Sequence, residues 1–574
     1  LYNMNLVGKY DILPNLSYKI NALFSKRFRD EGSYRTRLHS EAIASNGSAS
    51  LNNSEWGEYL VENILNYNKD FNKDNRLDLT FVHSVNQRDF SRTTSNGTNF
   101  SNDLLGFNGI SNALNYQTSR DQNRRRLLGY LGRVRYNLMD KYLVTFTARQ
   151  DGSSVFAENQ KWGFFPAAAF AWKAQNESFL QNVKAINELK VRMSYGSVGN
   201  EAISPFQTLG LVTNYPYIFG NNLVGGNLPG NVLPNPNLSW ETSTTFNTGI
   251  DFGLFKNFFT GSIDYYKTRT TDLLTNVPLG GTSGFTSTIT NGGETENSGI
   301  EVLLTTNLIK SKDFNWSITT AFTKNNNKLI KSGLVDANGN PVDDISRNRF
   351  IGQSLNPIFT HVFDGIFQSD QEALNSPQGT LGGTVNPFQP ITTLHAGSIR
   401  IKDVNSDGVI NELDRVIINT VPKWFGSLAT NLSFKGFELM ADIYSVQGVT
   451  RNNPYLALFN EGGYNTSVRN GIIRDYWTPE NPSNTYPRPN FNVKAQNIEI
   501  LQVADASYIR LRTLSLAYNL KGRSLEKIKL NNMRIYAIAN NLLTITDYKS
   551  YSPENNPNQF PDAKGFTFGI NLGF

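Results

Sequence analysis

The chain has 574 residues, no cysteine and a net charge of +6, with 39% hydrophobic, 18% charged and 12% aromatic residues. The lack of cysteine excludes a disulfide framework and a thiolate metal site, and so small a charge, dispersed along the chain, is not the stripe of a nucleic-acid binder. No run of about 18 apolar residues occurs, so no helix is expected to cross a membrane, and no signal peptide is seen.

The 37 Phe and 25 Tyr residues suit strands, where aromatic side chains pack on a pleated surface. The opening LYNMNLVGKYDIL is already strand-like and has no initiator Met. The expectation is the C-terminal part of a longer polypeptide. LPN near Pro14 and NKDFNKDN near Asp70 read as short turns, with long gaps at about 25–54 and 89–124 between the flanking strands. The second gap runs into the densest basic stretch, RDQNRRRLLGY from Arg120 to Tyr130, which reads as a solvated strand start or loop. KYLVTFTAR then sets Tyr142, Val144, Phe146 and Ala148 against Leu143, Thr145, Thr147 and Arg149. FFTGSIDYY sets Phe259, Ile263 and Tyr265 against Thr260, Ser262, Asp264 and Tyr266. FNWSITTAFTK places Phe314, Trp316, Ile318 and Phe322 opposite Asn315, Ser317, Thr319 and Thr323. The last nine residues alternate Phe566, Phe568, Ile570, Leu572 and Phe574 with Thr567, Gly569, Asn571 and Gly573.

Strands of this kind number about 17, each long enough to cross a bilayer at a tilt. The gaps between them alternate short and long, with further long gaps at about 197–238, 275–294, 325–422, 447–503 and 547–564. That parity predicts an all-β fold, a transmembrane antiparallel β-barrel with short turns at one end and long loops at the other. Only a closed barrel hides every strand edge from lipid. A last strand descending to the periplasm puts the long gaps outside the cell, including the 325–422 loop.

Several segments carry a family resemblance. LLGYLGRVRYNLMDKYLVTFTARQDGSSVFAENQKWGFFPAAAFAW (Leu127 to Trp172), LKVRMSYGSVGNE (Leu189 to Glu201) and NPNLSWETSTTFNTGIDFGLF (Asn235 to Phe255) resemble, in collinear order, the SusC/RagA-type TonB-dependent outer-membrane transporters. TTDLLTNVPLGGTSGFTSTITNGGETENSGIEVLL, DASYIRLRTLSLAYNL and the terminal FTFGINLGF continue the match. The resemblance implies a barrel of the roughly 22-strand, plugged-lumen form, of which residues 1–574 are the C-terminal part, without plug, TonB box and first strands. It further implies import of oligosaccharides or peptides driven by TonB, with a SusD-like surface lipoprotein as partner and the outer membrane as location. The alternatives are a barrel enzyme of protease or lipase type and a non-transporting adhesion or scaffold barrel.

Candidate sites are few. DVNSDGVINELD (Asp403 to Asp414) has the spacing of a calcium loop. Asp403, Asn405, Asp407 and Asp414 offer side-chain oxygens, Val409 a carbonyl, and Gly408 sits at the sharp turn. The flanks read as extended, so the choice lies between a structural Ca²⁺ clamp and an Asp/Asn turn held by its own side chains. TNYPYIFGNNLVGGN places Tyr215, Tyr217 and Phe219 in an outer loop, where aromatic faces suit sugar or peptide contact, loop packing or the lipoprotein. Asp264, Thr319 and Arg149 either line a lumen or bond neighbouring strands. His39, His83, His361 and His395 are scattered, and no catalytic signature accompanies them.

Overall fold

The computed structural model describes residues 1–574 apart from 221, 382–383, 386–393, 455, 457–474, 490–494, 521, 523–524, 526–528 and 556–558. Its wall is a meander of β1 (Tyr2–Leu13), β2 (Leu16–Arg35), β3 (Ser48–Asn72), β4 (Asn75–Thr98), β5 (Asn115–Leu138), β6 (Tyr142–Ser153), β7 (Trp162–Lys173) and β8 (Ile186–Asn200). It continues through β9 (Glu241–Leu254), β10 (Phe259–Pro278), β11 (Ser287–Lys310), β12 (Phe314–Ser332), β13 (Trp424–Phe434), β14 (Phe437–Gln447), β15 (Tyr508–Leu520), β16 (Asn532–Thr546) and β17 (Gly565–Gly573). Each strand pairs antiparallel with the next. No described helix is long and apolar enough to cross a membrane.

One strand shows why these residues suit a bilayer. Along β13 the outward side chains are Trp424, Gly426, Leu428, Thr430, Leu432 and Phe434, and Trp424, Leu428 and Phe434 are exposed. Trp424 lies 5.9 Å from Phe322 of β12, and Phe434 lies 5.9 Å from Phe314 of the same neighbour. The two aromatic pairs are about 33 Å apart along the strand at 3.3 Å per residue. A tilt of about 40° turns that into roughly 25 Å, the height of the apolar band of an outer-membrane barrel. Ile250, Ile263, Tyr265, Ile300, Ile443 and Leu516 are exposed on the same outer surface. In water so broad an apolar belt would be a liability; against hydrocarbon it is the stabilising face.

The long connections differ from the sequence expectation in their bounds. β2 runs to Arg35 and β3 begins at Ser48, while β4 runs to Thr98 and β5 begins at Asn115. The gaps expected at 25–54 and 89–124 are therefore mostly strand. Above the bilayer neither face needs to be apolar, so alternation fades while main-chain pairing goes on. Side-chain bonds replace the apolar signal, as between Thr94 and Asn52 at 2.7 Å and Ser95 and Thr118 at 3.2 Å. β3, with 25 residues, is about 80 Å long, so β2–β5 stand well clear of the membrane as a projecting sheet. The basic stretch from Arg120 lies on β5 above the end of its neighbour β6, whose pairing stops at Leu127–Ser153. Charge on a bare sheet edge discourages further pairing.

The loop between β12 and β13 contains short ladders, Ile358–Thr360 with Val416–Ile418 and Phe363–Ile366 with Ile399–Ile401. A short α-helix, Asp370–Asn375, starts at a Ser369 cap. This segment takes part in a packed core. Ile366 and Ile399 are buried together with Trp477 and Ile498 from the β14–β15 loop. Across the same contact the Trp477 indole N–H donates to Gln368 Oε1 (3.0 Å), and the Ile366 N–H donates to Asn484 Oδ1 (2.7 Å). The Arg488 N–H donates to the Gly397 carbonyl (2.8 Å). Gly397 has φ +87°, and a Cβ there would meet Arg488 and Trp477 within 2.6 Å. Both loops contribute side chains to this core.

Candidate functional site

Two surfaces meet at the open end: the polar inner wall, and the joined loops above it. On the inner wall, antiparallel register brings Arg192 of β8, Gly249 of β9 and Asp264 of β10 side by side. The Arg192 guanidinium crosses Gly249 to reach Asp264 at 2.6 and 2.8 Å, and also grips Asp251 at 2.9–3.1 Å. A Cβ at Gly249 would stand 2.4 Å from Asp264 Oδ1 and 3.0 Å from Arg192 Cζ. The missing side chain is thus the passage that lets one cation hold two carboxylates on three strands. Bidentate pairing of this kind fixes geometry as well as charge.

Of the three residues expected to line a lumen or bond neighbouring strands, Asp264 and Thr319 bond other strands, whereas Arg149 bonds within its own. Asp264 is held by Arg192, Thr319 bonds Thr305 at 3.0 Å, and Arg149 bonds Asp151 at 2.7 Å. All three lie on the face opposite exposed Ile263, Phe322 and Phe146. Sequence reading missed Arg192 and Asp251. The available signal was charge at period two, Lys190 with Arg192, on the face that alternation turns inward.

Tyr215, Tyr217 and Phe219 lie on one face of a hairpin, Val212–Phe219 with Asn222–Pro229. All three are more than half exposed, and the Tyr217 and Phe219 ring centroids are 4.7 Å apart. The structure brings these three together.

Around 403–414 the side-chain oxygens accept from the loop's own backbone. Asp403 receives the N–H groups of Ser406 (2.7 Å) and Gly408 (2.9 Å), Asn405 that of Asp407 (3.0 Å), and Asp407 that of Val409 (2.8 Å). Asp414 is fully buried and accepts from Val404 and Asn411, both at 2.9 Å. Burial pushes its carboxyl up, but the Asn411, Val404 and Asn405 N–H groups outweigh that and hold it below the usual range. Among the described residues no three acidic or histidine side chains are grouped to hold a metal ion. The bonding is that of a self-supporting Asp/Asn turn.

The histidines stay scattered. His83 sits in the wall 3.3 Å from Asn63, His361 meets the Asn411 carbonyl (3.0 Å), His395 the Ala396 carbonyl (2.7 Å), and His39 Nδ1 accepts from Glu41 N–H (3.2 Å).

An antiparallel meander with an apolar belt outside, paired charges inside and long loops at one end is the wall of an outer-membrane β-barrel. The chain belongs to the TonB-dependent receptor family, whose description "TonB dependent receptor-like, beta-barrel" fits residues 2–542. It is 31% identical over 601 residues to TonB-dependent receptor P3 of Formosa agariphila, a match covering 100% of this chain and 58% of that protein. With TonB-dependent receptor SusC of Bacteroides thetaiotaomicron it shares 28% identity over 467 residues, covering 79% and 44%. The structure of the RagAB peptide transporter superposes with a TM-score of 0.81 at 23% identity, over 100% of this chain and 61% of that one, a likeness of fold. The chain thus spans less than two thirds of the length of these relatives. The family is one of receptors and transporters, not of enzymes.

Proposed function

We propose that the protein takes part in active import of large nutrients, oligosaccharides or peptides, across the outer membrane. TonB drives the process, and a SusD-like surface lipoprotein is the partner. The observation that carries this reading is the pairing of a polar inner wall with a loop roof that has its own core. An adhesion barrel has use for the loops but none for a lined interior. The relatives named SusC and RagAB support the same reading. Deleting the gene should abolish growth on at least one oligosaccharide or peptide as sole carbon or nitrogen source. Unchanged growth on every candidate overturns import.

Tyr215, Tyr217 and Phe219 are assigned to cargo contact, because exposed rings on one hairpin face form a stacking surface. Tyr217→Ala with Phe219→Ala should weaken cargo binding by about tenfold, the loss of one good aromatic contact. Equal affinity removes the assignment.

The Ca²⁺ clamp through Asp403, Asn405, Asp407, the Val409 carbonyl and Asp414 is a separate proposal supported by spacing. Calcium titration calorimetry should give saturable heat that Asp407→Ala removes. No heat, with melting unchanged by chelator, leaves the self-supporting turn.

A further inference from the structure

Under the rim of the projecting sheet, four inward side chains on three neighbouring strands form a ladder of alternating character. Register sets Arg27 of β2 beside Trp56 of β3, and Trp56 beside Phe90 of β4. The Arg27 guanidinium lies 5.2 Å from the Trp56 ring, the Trp56 and Phe90 rings are 5.4 Å apart, and the Arg92 guanidinium lies 5.6 Å from Phe90. Stacking on an aromatic face holds a guanidinium flat and leaves its N–H edge free.

Neither of these two arginines has a carboxylate partner among the described residues. Nearby, Arg88 is taken by Glu58 (2.9 Å) and Arg125 by Glu201. Among the described residues Arg92 hydrogen-bonds the Ser54 hydroxyl (3.2 Å). Asp121 lies opposite Arg92 in register and forms no ion pair with it. The cavity in front of Arg27 also holds Asn3, Ser25 and Asn123, donors and acceptors matched to hydroxyl groups, and two carboxylates, Glu58 and Asp89, which are already paired with Arg88 and Arg124.

We infer that the Arg27–Trp56–Phe90–Arg92 ladder is a subsite for the carboxylate groups of an acidic oligosaccharide. The backbones of Trp56 and Phe90 are paired on both sides, so an extended peptide has no free main-chain ladder to join there. A sugar chain needs only side chains and ring faces. The subsite rests on the import reading for its cargo, but its test does not depend on transport.

The test is calorimetry on the purified protein, at its natural length in detergent, with tetragalacturonate, maltotetraose and tetraglutamate as probes. Tetragalacturonate should bind at least about tenfold more tightly than maltotetraose, the size of one charge-assisted contact, and should weaken as salt rises. R27Q/R92Q should lose that advantage while R27K/R92K retains part of it. Equal affinity for charged and neutral sugars, or unchanged binding in R27Q/R92Q, overturns the subsite. Tetraglutamate binding as tightly as tetragalacturonate overturns its assignment to sugar. Should R27Q/R92Q fail to fold, affinity of the unaltered protein that does not respond to salt overturns it equally. A failed growth assay bears on import, and a failed titration on this subsite.

Discussion

Gly249 is where a single missing atom organises three strands. Replacing it with valine drives Arg192 away from Asp264, which loses its bidentate partner, while Asp251 keeps Lys190 at 3.3 Å. The expected cost is about 2 kcal/mol, in the range for overpacking with a strained ion pair. Urea unfolding in lipid vesicles measures it, and a midpoint equal to the parent's would mean the wall bends around the extra side chain. At the periplasmic end, Glu177 joins two hairpins by accepting from Lys141 (2.9 Å), Tyr142 (2.6 Å) and the Trp172 indole (3.2 Å). Lys141 above all, then Tyr142 and Trp172, hold its carboxyl down at about 2, against an ordinary 4.5. A depressed carboxyl contributes stability that is fully present above about pH 4.5 and is lost as pH falls toward 2. E177Q should flatten the stability profile across that window while leaving its shape above pH 5 unchanged. At this scale alternation made the facing of Asp264, Thr319 and Arg149 legible. It could not show that Arg192 meets Asp264, because register between β8, β9 and β10 is set by turns and bulges far from the residues it pairs.

Among the elements, the membrane-spanning stretches were legible because lipid outside and water inside impose a strict period of two. Their outer continuations were not, since β2–β5 above the bilayer alternate polar with polar. The loop core was hidden for a different reason. Ile399 lies in a flank that reads as extended, and Trp477 stands more than one hundred residues from its partner Gln368, so no local window contains both halves. Trp477→Ala removes the central ring of that core and the bond to Gln368. The expected loss is about 3–5 kcal/mol of local stability. Hydrogen exchange should show faster opening at both Ile366 and Ile498 while β12–β15 stay protected. Faster exchange confined to the β14–β15 loop would mean that the two loops fold separately.

For the whole molecule, the solvent on each face decides which substitutions matter. Ile263 is outward on β10 and exposed, and Asp264 beside it is inward and paired. Arginine at Ile263 should cost up to about 2–4 kcal/mol, falling toward the interface. Arginine at inward Ser262, one residue away, should cost far less. Folding yield into vesicles, read by the heat-dependent gel shift of closed barrels, compares the two. Equal yields would contradict the assignment of the belt to lipid.

The shared core of the two largest loops also has a mechanical meaning. Their four ends leave the wall at β12, β13, β14 and β15, which are consecutive, so the united roof is tethered along one arc of the rim. A body held on one flank answers a load by rotating about that flank rather than by rising. Force applied at its far side therefore arrives at the four strands as torque, with the width of the opening as the lever arm.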